Sequence, residues 1–333
     1  MSKQPTIVVT GSAGFIGSAC VQFFNDCGWN QLLLVDAFYD EAKRSNWETK
    51  KFIKVIDRQV FIEQLHELEY TIDAIVHLGA RTDTTEFNFA IHEELNLEYL
   101  KSLWIYATQK EIPFIYASSA ATYGGGENGY DDSHLILDKL FPLNPYGISK
   151  NEFDKWAITQ ITSPPYWTGL KFFNVYGPNE YHKGRMASVI FHSFNQIKET
   201  GIVKLFKSHK EGFKDGEQLR DFIYVKDVLN VIYWMAHKMI VTNWDKSLNG
   251  LYNLGTGKAN SFYDLAVNTF IAQGIQPNIE FIDMPFDIRD KYQYFTEANM
   301  KKLHAAGYDK EFSSLEEGIN DYVVNYLSKE VYL

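Results

Sequence analysis

A chain of 333 residues, 45% apolar and 22% charged, has ordinary globular composition and enough length for one large domain or two lobes around an ample core. Its formal net charge of -10 leaves no basic excess to neutralise a polynucleotide, which excludes general nucleic-acid binding but not a local cluster holding a smaller anion. The only cysteines, Cys20 and Cys27, make no disulfide framework; with no secretory leader and no apolar run near ~18 residues, the expectation is a cytoplasmic protein that enters no membrane. No His, Cys and carboxylate spacing reads as a metal site.

Thr6 to Thr10 is a short β-branched run, the pattern of a buried strand. It leads straight into Gly11-Ser-Ala-Gly-Phe-Ile-Gly17 and a helical pattern through Val21, Phe23 and Phe24. In such a turn Gly11 permits the bend, Gly14 lets backbone approach a pyrophosphate, and Gly17 lets the helix pack on the strand. The helix N-terminus then offers free N–H groups to phosphates. Leu32 to Val35 reads as the second strand. Asp36 ends it 19 residues beyond Gly17, where a carboxylate either binds the adenosine ribose hydroxyls or closes a turn. Lys43 and Arg44 either neutralise a 2′-phosphate, favouring NADP, or form a solvated face.

Further strands are expected at Phe52–Ile56 and Asp73–His77, with a helix through Phe61, Leu65 and Leu68 between them. Leu78, Gly79 and Ala80 again place small residues where backbone would approach a dinucleotide. The alternation predicts an α/β fold with a Rossmann-type, doubly wound parallel sheet. A helix is expected from about Ile91 to Thr108; its Asn96 either reaches the cofactor or lies on the helix face.

Phe114 to Ser119 reads as a strand delivering Ser118 and Ser119 at its C-terminal end, where ligands sit on open α/β sheets. Asn144-Pro-Tyr-Gly-Ile-Ser-Lys150 opens a helix near Pro145, so Tyr146 and Lys150 lie one turn apart on one face. The ammonium is expected to lower the phenol from its ordinary pKa of ~10, making Tyr146 a base for a secondary alcohol whose hydride leaves for a nicotinamide. Ser119 is then the expected hydrogen-bonding partner of that alcohol.

The glycine turn, the strand-end serine and Tyr146-x-x-x-Lys150 together resemble the extended short-chain dehydrogenase/reductases. More specific stretches resemble the ADP-L-glycero-D-manno-heptose 6-epimerase family: Ala117-Ser-Ser-Ala-Ala-Thr-Tyr-Gly124, Phe173-Asn-Val-Tyr-Gly-Pro178, His182-Lys-Gly184 with Met186-Ala-Ser188, and Ala305-Ala-Gly-Tyr-Asp-Lys310. The likeness runs to about Tyr322. It implies an NADP-binding enzyme (NAD being the alternative) that inverts C6″ of an ADP-heptose for lipopolysaccharide inner-core synthesis. It further implies a Rossmann domain over residues 1–174 with a returning segment near 221–245, and a smaller C-terminal α/β substrate domain from 175–220 and 246–333. A homo-oligomer is implied too, with a pentamer compatible.

Inversion requires the ketone intermediate to present its other face to a fixed nicotinamide, which moves its oxygen and makes a second acid/base useful. The resemblance places that group at Lys183. On the cofactor side it implies Phe15, Ile16, Ala37, Lys43 and Arg58, then Asn96, Lys150 and Val175. On the substrate side it implies Ser119, Asn174, Arg185 and His192. Phe206, Lys207, Ser208, Arg220 and Tyr292 complete that set, aromatics for a base and cations for phosphate oxygens.

Three features depart from the family pattern. Ala37 follows Asp36 where asparagine is common, Arg185 stands where serine is common, and Ser208 to Gln218 is longer and charged, a candidate flap over the nucleotide. A UDP-hexose 4-epimerase would keep Tyr146 and Lys150 without requiring Lys183. A 4,6-dehydratase is disfavoured, since Ala120-Ala-Thr122 replaces its carboxylate pair. A non-catalytic dinucleotide sensor could dispense with Tyr146 or Lys150, and both are present. Because the redox cycle closes on itself, the cofactor is expected to stay bound without net consumption.

Overall fold

The computed structural model describes residues 4–242, 244–289 and 292–333. The β-branched and leucine-rich runs form β1 (Ile7–Thr10), β2 (Leu32–Asp36), β3 (Lys54–Asp57), β4 (Ala74–His77), β5 (Phe114–Ser119) and β6 (Trp167–Phe172). Shorter strands follow: β7 (Asn174–Tyr176), β8 (Val203–Phe206), β9 (Leu219–Tyr224), β10 (Gly250–Leu254), β11 (Ala259–Ser261) and β12 (Ile279–Ile282). A seven-stranded sheet runs in the order β10-β6-β5-β4-β1-β2-β3, with every pairing parallel. Its central strands are buried along their length because helices cover both faces, so they read as continuous apolar runs.

The chain moves outward from β1 to β3 and then returns to place β4 on the other side of β1. That reversal opens a crevice at the carboxyl ends of β1 and β4, where ligands bind in such sheets. Gly11 takes φ +69°, and a Cβ there would lie 2.5 Å from the Gly79 amide. Two glycine turns therefore meet at the switch point, where side chains would not fit.

A second, smaller core gathers Ile197, Val203, Leu205, Ala266 and Phe270. There the helices Val189–Thr200 and Phe262–Ala272 pack against the parallel pair β8–β12, while β9 joins β7 and β11 in a separate sheet.

Several expected boundaries move. The chain leaves the large sheet where β6 ends: the Phe173 amide bonds to the Leu254 carbonyl, and β7 then starts in another sheet. The return to the large sheet extends past 245, since β10 pairs with β6 as its outermost strand. Beyond β10 the chain turns at Thr256 and Gly257, wrapping the Asp221 carboxylate with their amides at 2.8 and 2.9 Å. The expected helix through Leu68 breaks into Arg58–Glu63 and a 3-10 turn at Leu65–Glu67. The one at 91–108 contains a π turn at Glu93–Glu98, a wider coil that turns Asn96 inward.

Candidate active site

The helix Pro145–Thr159 begins with Asn144 as N-cap, its side chain accepting from the Gly147 amide at 2.8 Å, and with Pro145 in the first turn. Tyr146, Lys150 and Asp154 follow at four-residue steps along one face. Asp154 is sealed from solvent and accepts from Tyr116 at 2.9 Å, Ser118 at 2.6 Å and Lys171 at 2.7 Å. The hydroxyl of Ser118 is thus committed. Its neighbour Ser119, on the opposite face of the strand, shares the cavity wall with Tyr146 and favours its phenolate. The choice between the two serines is made by Asp154.

Lys150 is buried and donates to the Ala117 carbonyl at 2.7 Å. Burial pushes its ammonium down to about 8, opposed by Asp154. The phenol of Tyr146 is raised, chiefly by desolvation, with the Ser119 hydrogen bond opposing the shift. This corrects the expectation that Lys150 lowers the phenol. The same burial penalises both charges, and the hydrogen bond favouring phenolate comes from Ser119.

Two cavities meet in front of this face. One of about 400 Å³ lies over the switch point, lined by Gly11, Gly14, Phe15, Ile16 and Gly17 on one side and by Leu78, Gly79 and Ala80 on the other. A Cβ at Gly17 would fall 2.0 Å from the Gly11 carbonyl, so the turn is shaped for close backbone approach. The twelve-residue helix Phe15–Asp26 starts here and points its free amides into the space. At the far end Asp36 accepts from the Ala13 and Ala37 amides at 2.9 and 2.7 Å, with the Lys43 ammonium 3.8 Å away and Arg58 on the same wall. These residues fit a nicotinamide dinucleotide, phosphates on the helix end and ribose at Asp36.

The larger cavity, about 810 Å³, is lined by Ser119, Tyr146, Lys150, Asn174, Val175 and Lys183, and also by Arg185, Arg220 and Tyr292. Lys183, Phe15 and Met186 border both cavities. Lys183 rides on the 3-10 turn Tyr181–Met186 and holds its ammonium 5.2 Å from the Phe15 ring centre. Desolvation lowers its pKa, opposed by Glu180. Arg220 is buried between the rings of Phe262 at 5.7 Å and Tyr292 at 5.3 Å.

A glycine turn at a sheet reversal, a serine–tyrosine–lysine face and a second cavity beyond it make a dinucleotide-dependent site. Residues 7–255 match the model of the NAD dependent epimerase/dehydratase family. The chain belongs to this family. It is 52% identical to the ADP-L-glycero-D-manno-heptose-6-epimerase of Fusobacterium nucleatum subsp. nucleatum, over 97% of this chain and 98% of that protein. Identity to the enzyme of the same name from Nitratidesulfovibrio vulgaris is 43%, over 96% and 98% of the two chains. The crystal structure of the Helicobacter pylori ADP-L-glycero-D-manno-heptose-6-epimerase is similar, with a TM-score of 0.78, 26% identity and 98% of each chain covered. This chain is accordingly an epimerase, an isomerase that uses a nicotinamide dinucleotide. No helix among the described residues is long and apolar enough to cross a membrane.

Some residues picked out from sequence stand off the cavity walls. Asn96 is buried, with its amide tied to both backbone groups of Arg81 and to Ser149, so it supports the site from behind. Ala37 lends only its amide, to Asp36. His192 packs beside Phe191, and Phe206 lies edge-on to Tyr292 behind the wall. Lys207 pairs with Asp283 at 3.3 Å, and Ser208 donates to the Lys210 carbonyl at 3.0 Å. The structure adds residues that sequence reasoning passed over: Asp154, Glu180, Phe262 and the 82–87 stretch, where Thr85 bonds Arg185. Asp154 had a signal in the repeated four-residue step after Lys150. The others had none, since only folding brings Phe262 and the 82–87 stretch to the cavity and buries Glu180 against Ser188.

Proposed function

We propose that this enzyme interconverts ADP-D-glycero-D-manno-heptose and ADP-L-glycero-D-manno-heptose at C6″, with tightly held NADP, in the supply of heptose for the lipopolysaccharide inner core. The observation that carries the mechanism is that Tyr146 and Lys183 come from different parts of the fold to line one cavity, and that Lys183 also borders the cofactor space. The glycine turn and Asp36 would hold the dinucleotide, which would supply reversible hydride exchange with C6″. Tyr146, steadied by Ser119, exchanges a proton with the C6″ oxygen on one side of the cavity. After the ketone turns over, Lys183 exchanges a proton with the displaced oxygen. Desolvation eases proton loss from Lys183, a property suited to that role. In the reverse direction the two groups exchange tasks.

Asn174, Arg185, Arg220 and Tyr292 line the same cavity; the reading assigns Asn174 and Arg185 to the sugar, and Arg220 and Tyr292 to the nucleotide, where a buried cation can meet the pyrophosphate and aromatic rings the base. Lys43 and Arg58 beside Asp36 support NADP, because two cations outweigh the one carboxylate where a 2′-phosphate would lie. A UDP-hexose 4-epimerase shares the fold but gives Lys183 no task. The test is an NMR assay with ADP-D-glycero-D-manno-heptose. Formation of the L-glycero epimer, lost in Tyr146→Phe and Lys183→Ala, is expected. An untouched ADP-heptose alongside an interconverted UDP-hexose would refute the assignment.

A further inference from the structure

Lys183 has no long helix or sheet strand beneath it. The short turn that carries it includes Gly184 at φ +52°, so the lysine's position depends on what pins the flanking residues. One side is held by the buried carboxylate of Glu180, which accepts from both the amide and the hydroxyl of Ser188 at 2.6 Å. The other side is held by residues from the far end of the sequence.

Asn179 is sealed from solvent and takes φ +77°, a left-handed conformation that asparagine tolerates better than most residues. In that pose its side-chain oxygen accepts from the Leu333 amide at 2.8 Å. Its side-chain nitrogen donates to Ser18 at 3.0 Å and to the main-chain oxygen of Leu333 at 3.3 Å. The Lys50 ammonium donates to the same oxygen. Two residues on, Tyr181 donates its hydroxyl to the Val331 carbonyl at 2.8 Å and meets the Tyr332 ring edge-on at 4.9 Å. Asn46 completes the attachment, donating to the Ala13 carbonyl at 3.0 Å and to that of Asn179 at 3.2 Å, which ties the glycine turn to the lysine turn.

We propose that Asn179 and the segment Val331–Leu333 are positioning elements for Lys183: a strap that fixes the lysine turn against the first helix and the glycine turn. This rests on the reading of Lys183 as the second acid/base. Val331 and Tyr332 are 41% and 39% exposed and Leu333 is only partly buried, so the strap lies at the edge of the core and its main consequence is local. A displacement of about 1 Å in a catalytic group is enough to cost ~10²-fold in rate.

The test compares truncation after Glu330 and Asn179→Gly, the latter keeping the backbone conformation while deleting the side-chain bonds. Each variant is made in the wild type and again with Lys183→Ala. The control is Lys198→Ala, which breaks the 3.2 Å pair between Lys198 and Glu330 but no strap contact. With ADP-heptose as substrate, the strap variants are expected to lower kcat by about 10- to 100-fold. KM should stay within about twofold, and the control should match wild type. In the Lys183→Ala background the strap variants should cause no further loss. An equal further loss there, or an unchanged kcat in the wild-type background, would overturn the proposal while leaving Lys183 in place. Full activity in Lys183→Ala alone would instead remove the reading on which it rests.

Discussion

Asp154 and Lys171 form an ion pair at 2.7 Å with both side chains sealed from solvent, directly behind the serines of β5. The pair is held in a closed network, since Asp154 also accepts from Tyr116 and Ser118 while Lys171 donates to Thr122 at 2.8 Å. Removing one partner strands the other charge in the core. Asp154→Ala is therefore expected to cost about 3–5 kcal/mol, measured from denaturant midpoints. Replacing both partners by apolar residues, as in Asp154→Leu with Lys171→Met, should recover a large part of that loss. A double variant no more stable than the single one would show that the stranded lysine is not the source of the cost.

Lys150 makes a pH-dependent contribution whose sign follows from its burial. Its ammonium is held at about 8 against an ordinary 10.5, so between those values the unfolded chain binds a proton that the folded chain does not. Stability then rises with pH through that window, by up to ~1.4 kcal/mol per pH unit, and the gain is lost as pH falls through 8. Lys50 is also held at about 8, so the informative comparison is with Lys150→Met, in which part of the rise should vanish. Identical pH slopes for the two proteins would contradict this.

Cofactor choice turns on the end of the smaller cavity. Lys43 and Arg58 flank Asp36, and Lys43 approaches its carboxylate at 3.8 Å. Lys43→Ala and Arg58→Ala are expected to weaken NADP by about tenfold each, the loss of roughly one charge-assisted contact, while leaving NAD nearly unchanged. Titrations of both dinucleotides against each variant measure this. Equal weakening of NAD and NADP would mean that the cations only shield Asp36.

Much of the large sheet was legible because parallel strands buried on both faces are written as uninterrupted apolar runs, as in Leu32–Val35 and Phe114–Ala117. The glycine turn was legible because close packing at Gly11 and Gly17 leaves no room for a Cβ. Local spacing also placed Tyr146 on the same helical face as Lys150. The split at Phe173 was hidden, since a continuous apolar stretch gives no sign of passing from one sheet to another. The return of Gly250–Leu254 to the sheet edge is a long-range pairing that a Gly-containing segment does not advertise. Expected contacts such as Lys207 and Ser208 failed to reach the cavity because Asp283 and the Lys210 carbonyl hold them elsewhere. The phenol's shift depended on Ser119 and enclosure, neither of which four-residue spacing reveals.

The most direct measurement uses ADP-D-glycero-D-manno-heptose carrying deuterium at C6″, turned over in ordinary water and read by NMR and mass spectrometry. Transient oxidation between Tyr146 and Lys183 predicts an inverted C6″ that keeps its deuterium, because the hydride is returned to the carbon it left. Inversion with the label washed out into water would mean that C6″ itself is deprotonated, and would contradict the account.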